Sequence, residues 1–106
     1  MKFEEYQEMI EGFAVYPRDN ELAAISYLAL GLNGEAGEVA DQVKKAIRND
    51  GRINDERRKK IIDELGDVLW YVTRIAIEFD VSMTDVAASN VEKLQNRKRL
   101  NQLKHE

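Results

Sequence analysis

Apolar residues recur every three to four positions along most of the chain, the spacing of α-helices that bury one face. No segment shows the period of two that is typical of strands. We therefore predict an all-α, antiparallel four-helix bundle that forms one domain over residues 1–106. The predicted helices cover about 3–13, 21–48, 55–80 and 82–103.

Two of these helices have a clear apolar stripe. In the second helix we expect it to consist of Leu32, Ala36, Val39, Val43 and Ile47, and in the third of Ile61, Leu65, Val68, Val72, Ile75 and Phe79. Gly31, Gly34 and Gly37 also lie within the second helix, although each glycine costs up to ~1 kcal/mol relative to alanine. Two interpretations are open: the glycines allow another helix or a ligand to approach closely, or the helix kinks or breaks near Asn33.

Acidic residues interrupt both stripes. Glu35 lies on the stripe of the second helix with Glu38 at its edge, and Glu64 and Asp67 lie beside the stripe of the third. Residues three apart on a helix point the same way, so two antiparallel helices can bring four carboxylates together. Because an unpaired buried carboxylate costs several kcal/mol, the pattern indicates a bound cation or a set of basic partners.

Oxygen ligands alone favour Mg²⁺ or Mn²⁺ over zinc or copper. The chain has no cysteine and a single histidine, His105, so the Glu-x-x-His pairs of a di-iron bundle are missing. The alternative is that the acids form salt bridges with Lys44, Lys45 or Arg74 at a helix interface. Spacing and placement alone leave both interpretations open.

A magnesium cluster in a helical cleft would suit a polyphosphate. The chain has no Gly-x-x-x-x-Gly-Lys-Ser/Thr loop, so phosphate contacts would have to come from the metal and from side chains. Asn90, Lys93 and Arg97 have helical spacing in the fourth helix and are candidates. Lys93 and Arg97 are equally consistent with ordinary surface charges.

Composition narrows the class of protein further. Of the 106 residues, 34% are charged, and the net charge of −4 argues against general nucleic-acid binding. No apolar run approaches the ~20 residues of a membrane span, and the N-terminus does not resemble a signal peptide. We therefore expect a soluble cytoplasmic protein with no nucleic-acid or membrane partner.

Three sequence blocks resemble the small MazG-like nucleoside triphosphate pyrophosphohydrolases of the all-α NTP pyrophosphatase superfamily. The blocks are Leu30–Val39, Asp63–Tyr71 and Asn90–Leu94 followed by Arg97. Together with the Tyr6-Gln7 start and the Tyr16-Pro17 turn, the similarity covers nearly the whole chain. It implies hydrolysis of a (deoxy)nucleoside triphosphate between the α and β phosphates, giving the monophosphate and pyrophosphate, for house-cleaning or nucleotide-pool control.

The resemblance also implies roles for individual residues. Glu35, Glu38, Glu64 and Asp67 match the Mg²⁺ ligands, and one of the first pair, with Glu35 preferred over Glu38, also acts catalytically on the attacking water. Substrate-binding positions are matched by Asn90 and Lys93, with Arg97 as a further phosphate contact and with Tyr71 and Gln7 as sugar or base contacts. Trp70 either stacks on a base or fills the core.

The same resemblance implies a homodimer or homotetramer with nucleoside triphosphates as substrate. Many small relatives continue with a Tyr-Pro-containing tail, which this chain lacks, so a substrate contact from the tail is not carried over. The rival hypothesis is a non-catalytic helical module for nucleotide sensing or protein interaction that keeps the acidic site without turnover. Neither hypothesis determines which base or which sugar the bound nucleotide carries.

Overall fold

The computed structural model describes residues 1–105 and shows four α-helices and one 3₁₀ helix, with no strand in that range. The predicted all-α fold is therefore confirmed. The third helix ends slightly earlier than predicted, and the last turn of the first helix is a separate 3₁₀ helix. The elements are α1 (Phe3–Ile10), the 3₁₀ helix (Glu11–Phe13), α2 (Glu21–Arg48), α3 (Asp55–Glu78) and α4 (Met83–His105).

Local sequence accounts for the helix boundaries. The side chain of Asn20 caps α2 by accepting a hydrogen bond from the backbone N–H of Ala23 at 2.8 Å. Asn54 caps α3 in the same way through the N–H of Arg57 at 2.9 Å. Gly51 has a φ of +72° in the turn that follows α2, a left-handed conformation that glycine adopts without steric cost. These signals are independent of the rest of the fold.

Helices α2 and α3 form an antiparallel hairpin, which is the most extensive helix pairing of the molecule. Ala24 and Leu28 of α2 are buried in it together with Tyr16 from the segment before α2. The helix α2 continues without a break past Asn33, so the alternative of a helix break there does not hold. No described helix contains a stretch long and apolar enough to cross a membrane.

At Gly31 a side chain of α3 packs closely against the backbone of α2. A Cβ added at Gly31 would overlap the ring of Tyr71 on α3, whereas a Cβ at Gly34 or Gly37 would meet nothing within 4 Å. Of the two interpretations of these glycines, the close approach is therefore correct for Gly31. Its missing side chain makes room for the Tyr71 ring.

We expect Gly31→Ala to lower the free energy of unfolding by about 1–3 kcal/mol, because the added methyl forces the Tyr71 ring to move. Gly34→Ala should instead raise it by about 0.5–1 kcal/mol, since alanine is the better helix former and nothing opposes its methyl. Urea denaturation measures both changes. In a Tyr71→Ala background the cost of Gly31→Ala should largely vanish, and an equal cost in both backgrounds would contradict the explanation.

The predicted apolar stripes are only partly buried. Ile47 is 73% exposed, and Leu65 and Phe79 are about half exposed, so these residues are not core residues of the single chain. Arg74, which the sequence suggested as an ion-pair partner at a helix interface, is 0% exposed in the middle of α3. Part of each stripe stays exposed because the fourth predicted helix does not lie along it.

That helix is α4, which packs only near its start within the part up to residue 101 whose side chains the structure describes. The backbone N–H of Met83 donates to Oε1 of Gln7 at 3.0 Å, and the hydroxyl of Thr84 donates to Glu4 at 2.7 Å. Every side chain from 84 to 101 is exposed. The radius of gyration is accordingly 17.4 Å, compared with about 13 Å for a compact domain of this length. The single chain thus leaves a large surface uncovered.

Candidate metal centre

Three carboxylates meet across the α2–α3 hairpin. Glu35 of α2 and Glu64 and Asp67 of α3 each offer one oxygen, and these oxygens all lie within 4.8 Å of one another. Glu35 and Glu64 are half-buried, and Asp67 is exposed. Such a set of hard oxygen ligands from two helices suits one Mg²⁺ or Mn²⁺, which leaves further coordination positions to water or a ligand.

The close approach of these carboxylates disfavours their charged forms. Burial raises the pKa of Glu35, as do a hydrogen bond with the Glu64 carboxyl and the negative charges of Asp67, Glu64 and Glu38. All of these contributions act in the same direction. A bound divalent cation would reverse them, since it supplies the missing positive charge.

Basic side chains do not supply that charge in the described part of the chain. Lys44 and Lys45 form ion pairs with Asp41 at 3.4 and 3.0 Å, and Arg74 pairs with Glu11 at 2.7 Å. Among residues 1–101, whose side chains the structure describes, no ion pair includes any of the four carboxylates of the acidic motifs. The salt-bridge alternative therefore does not describe this structure.

Glu38 stands apart from the other three. It is exposed and lies outside the group of mutually close carboxylates, although its charge contributes to the raised pKa of Glu35 one turn earlier. The structure thus brings together three of the four acidic residues that the sequence singles out. Glu38 remains within electrostatic reach of them.

An open cleft of about 310 Å³ adjoins the cluster and is lined by Glu35, Asp67, Trp70 and Tyr71. The rings of Trp70 and Tyr71 are perpendicular, with centroids 5.0 Å apart, and both side chains are partly exposed. Burial raises the pKa of Tyr71, followed by the effects of Tyr27, Glu35 and Asp67. The phenol therefore lies close enough to the carboxylates to sense their charge, and the two rings form one wall of the cleft.

Tyr6 of α1 is a neighbour of the cluster that sequence reasoning missed. Its pKa is raised by burial and by the charge of Asp67, so the phenol of Tyr6 lies within electrostatic range of that carboxylate. Tyr6 also lines a largely apolar cleft of about 440 Å³ together with Phe3 and Leu69. Periodicity could not reveal this neighbour, because it depends on how α1 packs against α3.

The other candidate residues lie away from the carboxylates. Asn90 and Lys93 line a second cleft of about 340 Å³ with Asp85 and Ser89, and that cleft shares no lining residue with the one beside the cluster. Arg97 is exposed on the same helix. Within one chain, these three residues lie on α4, whereas the acidic cluster lies on α2 and α3.

The side chain of Gln7 contacts the start of α4 and not the acidic cluster. Its side-chain oxygen accepts the backbone N–H of Met83 and so satisfies one of the free amides at the start of α4. It lines a cleft with Asp80 and Ser82, and not the one beside the carboxylates. Its substrate-binding role stays a prediction from resemblance.

Comparison with known proteins gives two matches. A family model described as the MazG nucleotide pyrophosphohydrolase domain matches residues 24–100, a range that includes the acidic cluster and Asn90, Lys93 and Arg97. "Gene 37 protein" of Mycobacterium phage L5 is 43% identical over 97 residues, which cover 88% of this chain and 85% of the phage protein. No solved structure matches the chain significantly.

Proposed function

Because this chain belongs to the MazG nucleotide pyrophosphohydrolase domain family, we propose that it hydrolyses nucleoside triphosphates to the monophosphate and pyrophosphate, using Mg²⁺. The observation that supports this most directly is the cluster of Glu35, Glu64 and Asp67, which lacks a basic partner in the described chain and borders a cleft. Removal of noncanonical or surplus (deoxy)nucleoside triphosphates is the role that this chemistry serves.

The residues present fit a hard divalent cation. Three carboxylate oxygens within 4.8 Å of one another would hold the ion, and Glu38 would complete the set or bind a second ion after a side-chain rotation. When bound, Mg²⁺ lowers the pKa of a coordinated water and offsets the charge of the phosphates. Manganese has similar ligand preferences and should substitute for magnesium.

Glu35 is the residue that we assign to the attacking water. It belongs both to the metal cluster and to the lining of the cleft, so one of its oxygens can accept a hydrogen bond from a water that faces the substrate. Glu38, which is exposed, has less support for this role from its position.

The wall of Trp70 and Tyr71 offers a flat, partly polar surface next to the carboxylates. Aromatic faces suit a sugar or a base, and the Tyr71 hydroxyl can add a hydrogen bond. We propose that the nucleoside part of the substrate contacts this wall while its phosphates face the metal. Asn90, Lys93 and Arg97 do not line this cleft within one chain, so they would have to reach the phosphates from the α4 helix of a second copy.

We further propose that the functional unit is a homo-oligomer in which the α4 helix of a second copy approaches the hairpin. The chain exposes 7975 Å², about 1,900 Å² more than a compact protein of 12.2 kDa would. A stable homodimer hides an area of this order on each subunit. Leu30, Leu65, Val91 and Leu94 are among the exposed apolar residues that it would cover.

We expect size-exclusion chromatography with light scattering to give a multiple of the 12.2 kDa chain mass. Leu94→Glu should shift the distribution toward the monomer, because it places a charge among the apolar side chains of α4. Gln95→Glu, which adds the same charge at the next position of the helix, is the matched control and should leave the mass unchanged. A wild-type chain that is monomeric at micromolar concentration would contradict the oligomer.

The test of the proposed function is the incubation of the purified chain with a panel of canonical and modified nucleoside triphosphates and Mg²⁺. The expected products are the nucleoside monophosphate and pyrophosphate, in equal amounts and only with a divalent cation. Release of orthophosphate and the diphosphate would contradict the proposed bond. Tight triphosphate binding with no product over hours would instead favour the non-catalytic sensing module.

A further inference from the structure

A buried ionic network lies behind the aromatic wall of the cleft. The guanidinium of Arg74 is fully buried, and its Nε and Nη2 donate to the hydroxyl oxygen of Tyr16 at 3.1 and 2.9 Å. Its Nη1 donates to Glu11 at 2.7 Å. The metal cluster does not use this charge, although Arg74 is only one turn beyond Trp70 and Tyr71 on α3.

The hydroxyl of Tyr16 is held from three directions. It accepts the two Arg74 hydrogen bonds and donates its own proton to the carboxylate of Glu78, which in turn forms an ion pair with Arg18 at 2.9 Å. No buried side-chain nitrogen or oxygen in the described residues lacks a partner. A network that is satisfied in this way fixes one position of the Tyr16 ring.

The Tyr16 ring in turn contacts the wall of the cleft. It stacks on Tyr27 with a centroid distance of 5.9 Å and meets Trp70 edge-on at 6.2 Å, with an interplanar angle of 89°. Trp70 meets Tyr71 edge-on at 5.0 Å. An unbroken series of contacts therefore links Arg74 to the aromatic side chains beside Glu35 and Asp67.

We propose that Tyr16, held by Arg74 and Glu78, is a positioning residue that sets the orientation of Trp70 and thereby the fit of the nucleoside part of the substrate. This inference rests on the proposed function. Apolar side chains of similar volume could fill the same space without the cost of desolvating an arginine. Apolar side chains could not hold the Tyr16 hydroxyl, which accepts hydrogen bonds from Arg74 and donates one to Glu78. These bonds give the Tyr16 ring, which contacts Trp70, one orientation.

Tyr16→Phe tests the proposal, because it removes the three hydroxyl hydrogen bonds and leaves the ring in place. We expect KM for the best nucleoside triphosphate to rise about five- to tenfold, the factor that the loss of about one net hydrogen bond represents, with kcat changed by less than about twofold. Trp70 is the only tryptophan, so its fluorescence reports on the wall directly. Its emission should shift in the variant, and its response to nucleotide should require a correspondingly higher concentration.

Tyr27→Phe is the matched control, since it deletes a hydroxyl from the ring that stacks on Tyr16 while the anchoring hydrogen bonds stay. Its KM and Trp70 emission should equal those of the wild type. If Tyr16→Phe proves insoluble, Glu11→Gln weakens the network from its exposed side and should produce the same changes to a smaller degree.

A Tyr16→Phe variant with a lower melting temperature but unchanged KM and unchanged Trp70 emission would overturn the proposal, because the network would then serve stability alone. A fall in kcat at constant KM would overturn it as well, since it would connect the network to the chemical step. Failure of the proposed function is distinguishable, because it would appear as absence of pyrophosphate release by the wild-type chain.

Discussion

Asp67→Asn and Glu35→Gln should each lower pyrophosphate release by at least about 10³-fold, equivalent to about 4 kcal/mol of transition-state stabilisation. Each change removes the negative charge of one of the three carboxylates whose oxygens lie within 4.8 Å of one another. A coupled assay for pyrophosphate measures the loss. Circular dichroism should show unchanged helix content, because neither side chain belongs to the core.

Asp63→Asn is the matched control for these variants. Asp63 precedes Glu64 on the same helix but points to solvent, where it pairs with Lys59 at 3.4 Å. Its turnover should stay within about twofold of the wild type, since an exposed pair of this kind contributes little. Full activity of Asp67→Asn would show that the carboxylate cluster is not needed for the reaction.

Addition of Mg²⁺ should reverse the stability order of Glu35→Gln and the wild type. Without metal, Glu35→Gln removes a negative charge from a repulsive cluster and should be at least as stable as the wild type. With Mg²⁺ at 100 times its Kd, the wild type should gain about 2.7 kcal/mol, which the variant lacks. Thermal melts in EDTA and in Mg²⁺ distinguish this outcome from a purely structural loss, in which the variant would be less stable in both.

The second large effect is expected at Arg74. Arg74→Met should lower the free energy of unfolding by about 3 kcal/mol, because it preserves the hydrocarbon stem but removes three donors from Tyr16 and Glu11 and one ion-pair partner from Glu78. For a domain of this size the melting temperature should fall by about 12–20 °C. Differential scanning calorimetry gives both quantities.

Arg58→Met provides the comparison for Arg74→Met. Arg58 lies on the same helix but is exposed, so its replacement should change stability by less than about 0.5 kcal/mol. A cost below 1 kcal/mol for Arg74→Met would show that the buried network contributes little net stability. Its Glu11 contact is then the first to question, because the Glu11 side chain is 58% exposed.

The helix ends and the acidic pairs could be derived from the sequence because both depend on neighbours a few residues away. Asn20 and Asn54 cap helices through amides three residues on, and Glu64 and Asp67 share a helix face through their spacing alone. The pairing of α2 with α3 followed from the short connection between two amphipathic helices. The helix ends and the spacing of the acidic residues would be the same in almost any tertiary arrangement of the four helices.

Arg74 illustrates why the rest could not be derived. Its position among apolar residues of α3 suggested an interface charge, but its partners Glu11 and Tyr16 lie about sixty residues earlier. The exposure of α4 has the same origin. The apolar stripes of α2 and α3 must pack against another element. Their periodicity does not say whether that element belongs to the same chain.

By itself, then, the sequence determined four helices, their approximate boundaries and two pairs of carboxylates on neighbouring helices, since these depend on local spacing, capping and a short connection. Only the tertiary structure decided that Glu35, Glu64 and Asp67 meet while Glu38 stays outside, and that Gly31 admits the Tyr71 ring. It also decided that Arg74 is buried behind the cleft and that Asn90 and Lys93 face a different one. The physical reason is that contacts between distant segments depend on helix rotation and crossing, which no local pattern encodes.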